Sequence, residues 1–278
     1  MGGGHAANHP RCLRGLALAS ALAVGELACG GGAPLLYPAR ALGAGDVRVS
    51  GGTSGSLAVG SLASDVASAR SEASEPGVGR AIPARDATYA KGALVLASVA
   101  PGMAPYAAGR VGVGSRFEAG LTYTGRAGHV DIRRSFDWND VSLSIGLGAE
   151  VPIYGDPDTS TLPQVDLASV RGYGVDVPVL VGWRSVASAY MVWVGARVGW
   201  DHVDIGSVAT ADDAPAAALS ANRFFGGGVA GLAGGFRHVH VALELDVAYD
   251  AVDGTFDGAH VTVQGVSLAP AGAMWWTF

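Results

Sequence analysis

Cysteine is nearly absent: among 278 residues only Cys12 and Cys29 occur, both within the first thirty. The bulk of the chain therefore has no disulfide framework and no Cys-ligated metal site to support it. Charge is scarce as well, 15% of residues against about 25% in an average soluble domain. Lys91 is the only lysine, and no basic cluster lies beyond the N-terminus, so a nucleic-acid surface has no electrostatic footprint. No apolar run after residue 40 approaches the roughly 20 residues of a spanning helix, which excludes a helical membrane protein. A disordered chain is excluded too, since the net charge is only −6 and 49% of residues are apolar. Glycine is abundant, at 43 residues, and disfavours helices. What remains is a glycine-rich β protein with a soluble core, or a β protein whose apolar surface faces something other than water.

Arg11 and Arg14 precede an apolar stretch from Leu16 to Leu27, the pattern of a secretory signal peptide. The stretch ends in Leu27-Ala28-Cys29-Gly30, which resembles a bacterial lipoprotein signal and makes Cys29 a lipidation candidate. Glu26 and Leu27 depart from that pattern, and ordinary cleavage after Ala23 is the alternative; both imply export. The chain then divides into a signal peptide (1–28), a flexible Gly/Ala/Pro tether (29–45) and a β domain (46–278) with a long loop at 61–90.

Within the β domain, polarity alternates. Val239, Val241, Leu243, Leu245, Val247 and Tyr249 alternate with His240, Ala242, Glu244, Asp246, Ala248 and Asp250, which puts the two sets on opposite faces of a strand. Similar rows run through 116–124, 141–148, 173–183 and 190–200. They are long for soluble strands, which average about 5–6 residues, and suit the roughly 9–11 that cross a bilayer at a tilt. Ten strands are expected, near 46–60, 104–114, 116–125, 128–136, 140–151, 172–184, 188–203, 222–236, 238–250 and 260–278. Tight turns at 114–116, 137–140, 185–187 and 237–238 alternate with longer connections at 61–103, 152–171, 204–221 and 251–259, the short link at 125–128 excepted. Tyr173 and Trp183, and likewise Tyr190 and Trp200, bracket apolar rows with a spacing of ten residues. That run of strand, tilted by about 40°, rises about 25 Å, the height of the apolar band between the aromatic girdles of membrane barrels.

The chain ends Ala273-Met274-Trp275-Trp276-Thr277-Phe278. Met274, Trp276 and Phe278 resemble the final strand of bacterial outer-membrane β-barrels, which commonly ends on phenylalanine with apolar residues at alternate positions before it. The resemblance covers this strand alone. It implies outer-membrane lipid and the barrel-assembly machinery as partners. The expected fold is all-β, a closed antiparallel transmembrane barrel of about ten strands (eight or twelve as alternatives) with short periplasmic turns, longer external loops and both termini periplasmic. Parity changes within the last strand, Val261 and Val263 being odd and Val266 to Phe278 even, which predicts a bulge near Gly265.

If the apolar rows face lipid, the opposite faces line the interior. That interior would hold Arg116, Glu118, Arg126, His129, Asp131, Arg133, Glu150, Asp176, Arg184, Arg197, Asp201, His240, Glu244 and Asp246. Ten strands enclose little more than the eight whose side chains fill a barrel, so these charges are expected to pair across the lumen. A metal site at His238 and His240 lacks a third ligand, and a hydrolase built on His129 with Asp131, or His260 with Asp257, lacks a recognisable nucleophile. The leading expectation is a monomeric, non-enzymatic barrel without cofactor, with a structural role or a narrow solute pathway. A barrel hydrolase and a lipid-anchored periplasmic β-sandwich or lipocalin-like binder are the alternatives.

Overall fold

The computed structural model describes residues 32–74, 87–153, 162, 165, 169–206 and 217–278; the signal segment and Cys29 lie outside the described residues. Alternating polarity forms ten strands: β1 Val47–Val59, β2 Gly102–Gly114, β3 Phe117–Tyr123, β4 Ala127–Trp138, β5 Val141–Pro152, β6 Val170–Arg184, β7 Tyr190–Ile205, β8 Leu219–Phe236, β9 Val239–Phe256 and β10 Ala259–Thr277. Each pairs antiparallel with its neighbour in sequence, and β1 pairs with β10, from Arg48 opposite Thr277 to Val59 opposite Val266, closing the barrel.

Four tight connections lie at one end, beside Val47 and Phe278. They contain the left-handed residues Ser115 and Arg116, Asn139, Ala187 and Ser188, and Arg237. This turn end holds both ends of the barrel domain. The opposite, loop end is less uniform than the sequence pattern suggests. β9 and β10 extend to Phe256 and from Ala259, leaving a two-residue turn where a loop was expected at 251–259. Asp257 and Gly258 both have positive φ there, the Asp-Gly hairpin turn whose twist matches that of the strands.

The expected loop 61–90 also gains structure. Helix α1 (Ser61–Ser74) and helix α2 (Ala87–Ser98) occupy the loop end. α1 buries Leu62, Val66 and Ala69, one helical stripe, and α2 is buried nearly all round, from Tyr89 to Ala97. The helices cross where Gly92 admits the Ala69 side chain. Around them the inward residues turn apolar: Val170, Val203, Ile205, Leu219, Val252, Phe256, Val261 and Val263 join the helices in one core.

This core explains the parity change in β10. The β9–β10 register runs unbroken from Ala259 opposite Phe256 to Trp276 opposite Val239, so there is no bulge near Gly265. Odd residues face inward along the whole strand. Val261 and Val263 face the helices, while Val266, Met274 and Trp276 face out. What changes is the surroundings, since the same face of the strand passes from a polar lumen to an apolar cap. Gly265 lies at that boundary, where a Cβ would come within 2.6 Å of Ser61 Oγ and 2.7 Å of Leu62 Cγ.

Two leucines separate the two kinds of apolar surface. Leu94 in the cap is 0% exposed and Leu243 on the outer wall is 56% exposed. Leu94→Ala should lower stability by about 2–5 kcal/mol through transfer and cavity terms. Leu243→Ala in detergent should cost well under half of that. Denaturant unfolding of the refolded protein, followed by tryptophan emission, checks both.

Candidate functional site

The chain from Gly32 to Gly45, within the segment expected as a flexible tether (29–45), runs through the lumen of the barrel. Leu35, Leu36, Tyr37 and Ala39 are buried there against Tyr106, Leu180, Trp193 and Trp275. The segment has no sheet partner of its own, so its backbone polar groups need acceptors and donors from elsewhere. The charged side chains of the wall need partners too, because burial of an unpaired charge is costly. One set of bonds meets both needs.

Near the turn end, Arg110 of β2 and Arg133 of β4 converge on Glu118 of β3. Arg133 donates to Glu118 Oε2 at 2.8 Å and to Oε1 at 3.2 Å, and Arg110 Nε donates to Oε1. Arg110 also forks onto Asp131, with Nη1 3.1 Å from Oδ2. The register makes this possible: Glu118 sits opposite Arg133, and Gly120 lies between Arg110 and Asp131, so those two meet over a position without a side chain. The ring of Tyr37 lies against both guanidinium groups, 4.0 Å and 4.1 Å from their carbons. Arg133 then donates to the Pro38 carbonyl at 2.5 Å and the Arg40 carbonyl at 3.3 Å, while Glu118 accepts the Leu42 N–H at 2.8 Å.

At mid-height Asp176 of β6 accepts from Arg197 Nε at 2.9 Å and from His129 Nε2 at 2.7 Å. Gly148, between the strands of His129 and Asp176, leaves the space in which they meet. Arg197 also lies 3.8 Å from Asp246 and donates to the Ala33 carbonyl. Glu244 accepts the Leu35 N–H at 2.6 Å, the Leu36 N–H at 2.9 Å and the Trp193 indole N–H at 2.7 Å. It thus takes three N–H donors, with no arginine bonded to it.

Higher still, Arg223 joins Asp201 at 3.1 Å to Asp250 at 2.8 Å. Arg126 donates to the Ala97 carbonyl at 2.7 Å, Arg223 lies 3.4 Å from the Ser98 carbonyl, and Ser56 bonds the Val99 carbonyl at 2.8 Å. The carbonyls at the end of α2 are thereby satisfied, two of them by cations. A cavity of about 120 Å³ remains between this cap and the start of the plug, lined by Glu150, Asp201 and Asp246 among others.

Most of the expected interior charges face the lumen: Glu118, His129, Asp131, Arg133, Asp176, Arg197, Asp201, His240 and Glu244 are buried there, with Glu150 and Asp246 on the same faces. Arg116 does not. It occupies the β2–β3 turn in a left-handed conformation with its side chain 56% exposed, 3.8 Å from Asp137. Arg184 ends β6 at the rim of the turn end, half-buried. Arg126 belongs to the β3–β4 connection rather than to a strand. Asp250 faces inward as the alternation over 239–250 implies. Arg48, Arg110 and Arg223 also face inward, although the sequence reading did not place them there; the parity rule that located Glu118 and Asp246 applies equally to β1, β2 and β8 and would have found them. His260 bonds Asp253 at 3.0 Å rather than Asp257, and His238 sits in a turn bonded to the Thr277 carbonyl. Among the described residues no group of three or more His, Cys, Asp or Glu is placed to hold a metal ion. Tyr173, Trp183, Tyr190, Met274, Trp276 and Phe278 are exposed on the outside, with Trp200 beside Tyr173 at a ring separation of 5.5 Å.

Glu118→Ala would leave Arg110 and Arg133 short of their shared partner and release the Leu42 N–H. The expected cost is about 3–5 kcal/mol, the scale for breaking a buried pair on one side. In the same variant, protease cleavage between residues 32 and 45 should quicken relative to cleavage elsewhere, as read by mass spectrometry.

No protein-family model matches the chain, and no curated protein matches it in sequence. Among solved structures it is similar to neisserial surface protein A, at 8% identity over 84% of this chain and 96% of that one, with a TM-score of 0.35. It is similar also to Ail, the attachment invasion locus protein of Yersinia pestis, at 9% identity over 84% and 99%, with a TM-score of 0.28. A third is the CymD monoaromatic hydrocarbon channel, at 7% identity over 85% and 89%, with a TM-score of 0.25.

Proposed function

We propose that the chain is an exported, monomeric outer-membrane barrel that is occluded at rest and acts as a structural element of that membrane. The carrying observation is the outer wall. Between an aromatic row at the loop end (Tyr173, Trp200, Phe224, Tyr249) and another at the turn end (Trp138, Trp183, Tyr190, Phe236, Trp276), the outward residues are mainly valine, leucine, isoleucine, alanine and glycine, many of them half exposed; Thr53 and Arg134 are polar exceptions, the Arg134 guanidinium lying over the rings of Phe117 and Phe136. An apolar surface encircling the barrel far exceeds the few hundred Å² that a soluble monomer exposes. Its height of about 25 Å fits the hydrocarbon of a bilayer. Beyond the loop-end row the outward residues become polar, with His202, Asp204, Asn222, Asp253 and Thr262 facing out, as water outside the membrane requires.

Occlusion is supported by the plug at 32–45 and the helical cap. A narrow solute pathway, opened by withdrawal of the plug, is the second reading, favoured by the cavities above and below it. The role we propose is non-enzymatic, with His129 bonded to Asp176 as part of the ion-pair network that fills the lumen. The aromatic C-terminal strand supports recognition by the barrel-assembly machinery, and the exposed wall supports outer-membrane lipid as the surrounding partner.

Three measurements test this reading. Refolded full-length protein should migrate differently on detergent gels before and after heating, and a protein that stays soluble without detergent would defeat the membrane placement. In planar bilayers the intact protein should show no steps of conductance, whereas deletion of 32–45 should produce them; frequent steps from the intact protein would sink the occluded state. Removal of Phe278 should lower outer-membrane assembly several-fold in cells while leaving refolding into detergent unchanged.

A further inference from the structure

One buried arginine in the turn-end half of the lumen has no carboxylate bonded to it. Arg48 of β1 faces inward and is 7% exposed. Its Nη1 has no hydrogen-bond partner, and its Nε reaches only Thr277 Oγ1, at 3.5 Å. The two carboxylates buried inside this half, Glu118 and Asp131, are committed to Arg110 and Arg133. Glu118 already accepts four bonds, from Arg110 Nε, Arg133 Nε and Nη2, and the Leu42 N–H. A carboxylate offers about four lone-pair sites, so Glu118 has none left for Arg48.

The surroundings are built for an occupant. Arg48 lies over Trp275, 4.9 Å from the ring, and His240 lies on the same indole with its ring centroid at 5.8 Å. His240 is buried as well; its Nε2 donates to the Ser188 carbonyl at 2.8 Å while its Nδ1 has no partner. Both side chains line a cavity of about 310 Å³ that opens at the turn end and has Arg184 and Arg237 at its rim. Asp46 and Asp140 also line it, Asp46 accepting the Gly43 N–H at 3.2 Å. An unpaired buried guanidinium is costly, and its planar fork of donors matches a tetrahedral oxyanion.

We propose that this cavity binds a phosphate-class oxyanion, seated on Arg48 against Trp275 and approached past Arg184 and Arg237. Free phosphate-bearing solutes and phospholipid headgroups share this chemistry. The site depends on the arrangement of β1, β9 and β10 and not on the membrane placement of the barrel, so the two readings fail separately.

Trp275 provides the readout. Refolded full-length protein in a zwitterionic detergent is titrated with inorganic phosphate at constant ionic strength, and in a second arm with phosphatidylglycerol in mixed micelles, while tryptophan emission is recorded. A saturable change is expected in at least one arm, absent from Trp275→Phe. Arg48→Met should weaken it by at least about tenfold, the scale of one lost charge-assisted contact, and Arg48→Lys should restore part of it. Arg184→Gln, at the half-exposed rim, should weaken it by less and serves where Arg48→Met does not refold. Saturation in the phosphate arm assigns a free solute, and saturation in the lipid arm alone assigns a headgroup. No saturable response in either arm, or equal responses from the intact protein, Arg48→Met and Arg184→Gln, would overturn the proposal.

Discussion

Closure of β1 onto β10 imposes the constraint on which the other features depend. A ring of ten strands has no free edge, but it encloses a volume that the wall's own side chains do not fill. The chain fills it from two sources. From the turn end up to mid-height, the residues just before β1 lie inside as an irregular thread. At the loop end, the insertion between β1 and β2 folds into two helices. The first filling is polar and held by hydrogen bonds; the second is apolar and held by burial.

The polar filling shows how charge and irregular backbone stabilise each other. A segment with no sheet partner would leave its N–H and C=O groups unsatisfied, and wall arginines and glutamates would stand unpaired in a confined space. Glu244 illustrates the exchange: it gives two otherwise orphaned amides an acceptor, and they give it the donors that no arginine supplies. Neither partner is well placed alone. The glycines at 120 and 148 have a related part, since each leaves the gap through which side chains of flanking strands make contact.

Much of this was legible in the sequence because a strand has a period of two. Parity placed Glu118, Asp176, Arg197 and Glu244 inside and Tyr173, Trp183 and Trp276 outside, and the ten strands lie close to where alternation put them. The unreadable parts are those where a side chain's neighbours are set by distant chain. Val261 and Val263 face inward like Trp275, yet their apolar character suggested a bulge, because nothing in β10 announces that helices lie on it. The plug has no periodicity to read: its conformation is dictated by Arg133, Glu118 and Glu244, which are distant in sequence. Ser61 to Ser74 has a helical stripe of only three buried residues among serines and alanines, and so looked like loop. Arg116 was misplaced for a local reason, since two left-handed residues in succession turn it out of the strand before the alternation begins.

The bonds between the plug and the wall also have an order in time. Leu35 and Glu244 are separated by 209 positions in sequence, so the amides that this carboxylate receives are synthesised long before it. Contacts of such range form late and slowly, later than those of Glu118 and Arg133 with residues 38 to 42, which span 76 to 95 positions. The thread is therefore fixed first near the turn end and last at Leu35 and Leu36, when β9 joins the ring. The first-made described part of the chain is among the last to find its place.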